Sequence, residues 1–215
     1  MLRDAVVVGN PLMPTVTSAA GDTVTLAPLP GAEHEAAWVA QRLGSTPLTG
    51  PAASERVIWA RLGAAPLVHL ATHGYAYATE ALARQSFVAL APGGGEDGLL
   101  TVGELLDDTR LRLSADLVVL SACQSGLGDL KQAEGTVGLQ RAFLAKGARS
   151  VLVSLWSVWD AATAALMKGF YTHWLADRDQ PDKAPVLRRA QAELRARPQF
   201  RAARDWAAFQ LVGAP

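Results

Sequence analysis

The chain holds a single cysteine among its 215 residues. No disulfide can close within it, and a reducing, cytoplasmic setting is the expectation. It also lacks net charge, with twenty Lys and Arg against twenty Asp and Glu. No electrostatic signal therefore points to nucleic acid or an anionic membrane as a partner. The locally basic "RAQAELRARPQFRAARD" has helical spacing and reads as a solvated face. No apolar run approaches the roughly 18 residues that span a bilayer. The opening "MLRDAVVVGNP" has an apolar run of three valines, too short for a signal-peptide core. No set of His, Cys, Asp and Glu has metal-site spacing. "PGGGEDG" lacks the Lys-Ser/Thr ending of a phosphate loop and reads as a hairpin turn. Neither a metal nor another cofactor is expected. Internal repeats and low-complexity linkers are missing too, so residues 1–215 read as one domain.

What is present is a pattern. Half the residues are hydrophobic and 19% are charged, the profile of a globular protein with a sizeable core. Short β-branched runs at 5–10, 66–74, 86–98, 116–122 and 150–156 read as strands, the 86–98 run ending in a glycine turn. Helical spacing marks 33–43, 54–62, 101–108, 136–147, 160–175 and a stretch after Pro185. Gly44, Gly63 and Gly147 stand where helices should stop, and Thr101 is placed to cap the 101–108 helix. Residues 117–120 and 151–153 are apolar without polar alternation, which predicts strands buried on both faces. The β-α alternation predicts a layered α/β fold around a mostly parallel sheet.

In such sheets, sites form at the carboxyl ends of the strands. Two predicted strands end in reactive side chains: "LATHG" in His73 and Gly74, and "LSACQSG" in Cys123. A thiol at a strand exit is placed where a substrate can reach it. An imidazole within reach can take its proton during attack and return one to a leaving amine. The backbone N–H groups of Gly74 and Cys123 are candidates to stabilise an oxyanion. The bland alternatives are an inert small hydrophobe for Cys123 and a loop residue for His73. His69, inside its strand, reads as a hydrogen-bonded core histidine, the alternative being a supporting role behind the site. His34 and His173 read as surface or packing residues.

Together the segments "HLATHG", "LSACQSGLG", "AEGTVGLQRAFLAKGARSVLVSLWSVWDAATAALMKGFYTHWL" and "WAAFQLVG" resemble the CHAT domain, the caspase- and separase-like peptidase module of bacteria. The resemblance runs over roughly residues 5 to 213. It implies the three-layer α-β-α caspase-hemoglobinase fold and a cysteine endopeptidase. His73 would be the general base and acid, Cys123 the nucleophile, and Gly74 a donor to the oxyanion. It also implies a protein or peptide substrate and control by a partner, ligand or assembly. These 215 residues contain no sensing domain, so either the sequence is an excised module or the regulator is a separate chain. The alternatives are a catalytically silent binding or scaffold module and, more distantly, an acyltransferase built on the same pair.

For substrate choice, some relatives carry an acid two positions before the cysteine, at the pocket for a basic side chain. Here that pocket position is Ser121, without the charge. The resemblance gives Asp160 as the residue that would read Arg or Lys. Its structural alternative is an N-cap for the helix beginning at Ala161. Glu134 reads as a cap for the helix starting near Thr136, a structural role with some effect on the loop after the cysteine, the alternative being a place in the lining of the cleft. Trp156 and Trp159 bracket a strand-to-helix turn and could wall a substrate pocket, whereas Trp174 and Trp206 read as core.

Overall fold

The computed structural model describes residues 2–17, 21, 23–77, 79, 81–121, 136–156, 158–176 and 182–214. Its centre is a six-stranded sheet of β1 (Val6–Pro11), β4 (Leu48–Gly50), β5 (Leu67–Ala71), β9 (Leu117–Leu120), β10 (Ser150–Ser154) and β11 (Phe209–Gly213). The spatial order is β11-β10-β9-β5-β1-β4. All neighbours run parallel except β11, which is an antiparallel edge on β10. Outside it lie a hairpin of β2 (Thr15–Thr17) and β3 (Thr23–Thr25), and a three-stranded sheet of β6 (Gly74–Tyr75), β7 (Phe87–Ala89) and β8 (Leu99–Thr101).

The central strands carry side chains into two cores, one per face. Val6, Val8, Val68, Leu70, Val118, Leu120, Val151 and Val153 point to one. Val7, Leu67, Leu117, Val119 and Leu152 point to the other. This is the period of two along a strand, with both sides apolar because both are covered. The first core is closed by α2 (Glu55–Leu62), α3 (Val102–Asp107) and α4 (Thr136–Ala145). The second is closed by α1 (Pro30–Leu43), α5 (Asp160–Trp174) and α6 (Lys183–Arg195), with the short α7 (Ala203–Trp206) beside it. The predicted stripe on α5 is packing: Leu166, Met167, Phe170, Tyr171 and Trp174 are all buried. The arginines of α6 and its exit face solvent while Val186, Leu187, Ala190 and Leu194 face the core.

Several helix ends follow the sequence signals. Gly44 takes a left-handed conformation after α1. Gly147 has φ +111°, and a Cβ there would meet the Leu113 carbonyl oxygen at 2.7 Å, so only glycine closes that turn. Thr101 and Glu104 form a reciprocal capping box on α3. Other expectations are corrected. The run 66–74 is not one strand: β5 ends at Ala71 and Gly74 starts β6 in another sheet. Thr72 Oγ1 donates to the Ala89 carbonyl at 2.8 Å, and Ala89 N–H donates to the His73 carbonyl at 2.8 Å. These bonds pull the chain off the central sheet onto β7. The run 86–98, in contrast, is a strand over Phe87–Ala89 that ends in the expected glycine turn, which returns the chain as β8. Trp206 is half-buried rather than core, with the Arg195 guanidinium 5.3 Å from its ring centre.

Candidate active site

Along the chain, the six central strands have the spatial order second, first, third, fourth, fifth, sixth. The direction of winding reverses between β1 and β5, which opens a crevice beyond their carboxyl ends. His73 lies there, two residues past the end of β5. It is buried, 3% exposed, and its Nε2 sits 2.7 Å from the Ala27 carbonyl oxygen. A carbonyl only accepts, so Nε2 carries the proton and the neutral ring's lone pair is on Nδ1. Burial lowers the pKa below the usual 6.5, against opposing effects of the Ala27 bond and the Asp160 charge. The imidazole is thus held as a neutral base of fixed tautomer.

Gly74 is buried on the edge strand β6. It pairs with Val88, but the adjacent ladder bond runs from Ala89 N–H to the His73 carbonyl. In an antiparallel ladder that makes Gly74–Val88 a non-hydrogen-bonded pair, with the Gly74 N–H turned away from β7.

Beside His73 is a narrow recess of about 30 Å³, lined by Leu29, Gly31, Ala32, Glu35, Thr72, Ser121, Asp160 and Thr163. That is the order of one water molecule or ammonium group. It is built by the first turns of α1 and α5 and the exits of β5 and β9. The lining is rich in acceptors. The Ser121 and Thr163 hydroxyl oxygens are buried and find no hydrogen-bond partner among the described residues. Asp160 is the first residue of α5; the cap position belongs to Trp159, which makes no side-chain cap bond, so Asp160 is not the N-cap. A Cβ on Gly31 would lie 2.7 Å from Asp160 Oδ2, so the glycine leaves room for the carboxylate. The structure therefore brings Ser121 and Asp160 to one recess and places the Asp160 charge where it acts on His73.

It does not bring Trp156 there. The Trp156 indole Nε1 donates to the Arg204 carbonyl at 2.9 Å, and the ring packs on the α5–α6 core. Trp159 is 66% exposed beneath the Arg204 guanidinium. Cys123 and Glu134 lie outside the described residues. His34 is exposed on α1, and His173 Nε2 pairs with Glu193 at 2.8 Å.

Glu35 is a part of this site that the sequence reading missed. It is 5% exposed. Its Oε1 accepts from His69 Nε2–H at 3.0 Å, and His69 Nδ1 sits 3.0 Å from the Tyr171 hydroxyl. Burial, helped by Glu35, pushes the Tyr171 pKa well above 10, so the phenol stays protonated and donates to Nδ1. The sequence signal was an acid on the apolar face of α1, one turn before Val39. Tyr171→Phe leaves His69 Nδ1 buried without a donor. The expected loss is about 1–3 kcal/mol, read as a lower urea midpoint at unchanged slope.

A family model for the CHAT domain matches residues 2–214. The chain belongs to the CHAT domain family. Two curated relatives are the tetratricopeptide repeat protein 28 of mouse and of human, 33% and 32% identical over 97% of this chain. The chain spans only 9% of the length of each. Among solved structures, the Arg-specific cysteine proteinase gingipain R matches all of this CHAT domain and 47% of its own chain, at TM-score 0.62 and 10% identity. The complex of Porphyromonas gingivalis RgpB pro- and mature domains matches 98% of this chain and 47% of its own, at TM-score 0.60 and 12% identity. The CHAT domain thus has the fold of a cysteine peptidase, with the expected α/β layers and mostly parallel sheet. No helix among the described residues is long and apolar enough to cross a membrane.

Proposed function

We propose that this CHAT domain is a cysteine endopeptidase working through His73 and Cys123. The observation that carries this is the His73 imidazole: buried, neutral, fixed by Ala27, and at the exit of a strand in register with the one leading to Cys123. Leu70 pairs with Leu120 across the parallel β5–β9 ladder. In the sequence, His73 and Cys123 each follow their paired leucine by three positions.

In the proposed reaction, His73 Nδ1 takes the Cys123 thiol proton as the sulfur attacks the scissile carbonyl carbon. The C–S bond forms and the carbonyl π electrons move to oxygen, where the Gly74 N–H, joined by that of Cys123, receives the charge. Collapse breaks the C–N bond, and the imidazolium gives its proton to the leaving amine. Water, losing a proton to His73, then hydrolyses the thioester and restores the thiol. Asp160 reads an Arg or Lys side chain next to the cut, its charged end meeting the carboxylate at the mouth of the recess, which itself has room only for an ammonium-sized group, and Ser121 adds a hydroxyl. The substrate is a protein or peptide, and a partner, a ligand or assembly controls access to it.

The test is a thiol-reactive peptide probe together with proteome-scale sequencing of new N-termini. The expected result is labelling of Cys123 and a set of cleavages absent with Cys123→Ala. If no activating partner or condition yields labelling or cleavage, the reading gives way to a silent scaffold. Labelling with transfer of the acyl group to an amine instead of water would make the pair an acyltransferase.

A further inference from the structure

The proposed peptidase chemistry uses nothing on the opposite face of the sheet, at the start of α2. A cavity of about 410 Å³ opens there, lined by Glu55, Arg56, Trp59, Ala60, Glu96 and Glu104. It shares no residue with the recess at Asp160. Glu55 is its floor. This side chain is 3% exposed, and its Oε2 accepts from the Gly98 N–H at 3.0 Å. Its other oxygen has no hydrogen-bond or ion-pair partner among the described residues. Burial first, then the charge of Glu104, raises the Glu55 pKa to about 7, helped by Asp97 and Glu96 and opposed by the Gly98 bond.

The remaining wall has the same character. Glu104 uses Oε2 on the Thr101 backbone N–H and hydroxyl, both at 2.7 Å. Glu55, Glu96 and Glu104 form no ion pair among the described residues. Arg56, the basic residue of the lining, turns Nη1 towards the Gly94 carbonyl at 3.4 Å instead. Trp38, Trp159 and Trp206 each have an arginine over the ring, whereas half-buried Trp59 has none among the described residues. No three His, Cys, Asp or Glu among the described residues are grouped closely enough to share a metal ion. The acids instead surround a space of organic size beside an aromatic wall.

We propose that this cavity binds an organic cation, a guanidinium or alkylammonium group on an apolar stem. The charge meets the open oxygen of Glu55, with Glu104 and Glu96 at the mouth, and the stem lies against the Trp59 ring. The group can belong to a free amine or to a basic side chain of a peptide.

The test follows the Trp59 indole resonance of the whole chain, assigned with Trp59→Phe, during titration with three probes. These are butylguanidine, pentylamine and the peptide acetyl-Gly-Arg-Gly-amide. At least one probe is expected to shift the resonance with a Kd of about 1 mM or tighter. Binding by the amines alone identifies a small-molecule site; binding by the peptide identifies a side-chain site. Glu55→Gln keeps the Gly98 bond through its amide oxygen and is expected to weaken binding about tenfold. Glu96→Gln and Glu104→Gln, both exposed, weaken it less and cover the case in which the buried variant does not fold. Asp160→Ala leaves this binding unchanged, which separates the cavity from the peptidase recess. The proposal is overturned if none of the probes shifts Trp59. It is equally overturned if neutral butanol shifts it as strongly, or if all three Glu→Gln variants bind like the wild type.

Discussion

His73→Ala is expected to lower kcat/KM for peptide cleavage by about 10²–10⁴-fold, the usual contribution of a positioned base. The fold should survive. The substitution leaves the Ala27 carbonyl without its donor and empties part of a buried site, a cost of about 1–3 kcal/mol, so circular dichroism should stay native while the melting temperature falls modestly. The pH profile gives a second reading of the same residue. Burial holds the His73 pKa below 6.5, and the neutral ring is the competent base. Activity should therefore persist below pH 6.5 and decline only as acid protonates Nδ1. Asp160 acts in the opposite sense, raising that pKa. Removing its charge in Asp160→Asn should move the acid limb to still lower pH. An unfolded His73→Ala chain, or an acid limb indifferent to Asp160, would mark His73 as a packing residue.

Asp160→Ala should reduce kcat/KM for substrates with Arg or Lys before the cut by about 10–100-fold, the equivalent of about 1.5–3 kcal/mol for a hydrogen bond to a charged group. Neutral substrates should change far less. Stability should fall by only about 0.3–1 kcal/mol, the value of an acid in the first turn of a helix. The selectivity ratio thus separates recognition from helix stabilisation. Equal turnover of basic and neutral substrates by the wild-type chain would remove Asp160 from substrate reading. Gly31 offers a matched check. A methyl there would press on the Asp160 carboxylate without altering any charge, so Gly31→Ala should reproduce part of the same loss.

The site was legible in the sequence where a residue's meaning is local. His73-Gly74 stands at the end of an apolar run, and its place past a strand exit follows from the run itself; Cys123 ends a similar run in the sequence but lies outside the described residues. Thr101 with Glu104, Gly44 and Gly147 declare helix ends because capping depends on a few neighbouring backbone groups. Asp160 was visible as a residue but not in its geometry: the sequence fits an N-cap as well as a first-turn acid, and only the backbone angle at Trp159 separates them. Glu35 was hidden because its partners, His69 and Tyr171, lie 34 and 102 positions away. The break after Ala71 was hidden for a similar reason, since Ala89 supplies the bonds that turn the chain.

By itself, the sequence determined the two-sided apolar strands, the helices that cover them and the chemical kinds of residue at the strand exits. Periodicity and capping are short-range, so one chain read in order contains them. The tertiary structure decided which exits become neighbours. Strand order and register put β5 beside β9, put the first turn of α5 against that of α1, and separated a polar recess on one face from an acidic, Trp59-walled cavity on the other. Those juxtapositions depend on contacts between residues distant in the chain. The charge and tautomer of His73, and the open oxygen of Glu55, belong to surroundings that exist only once the layers have packed.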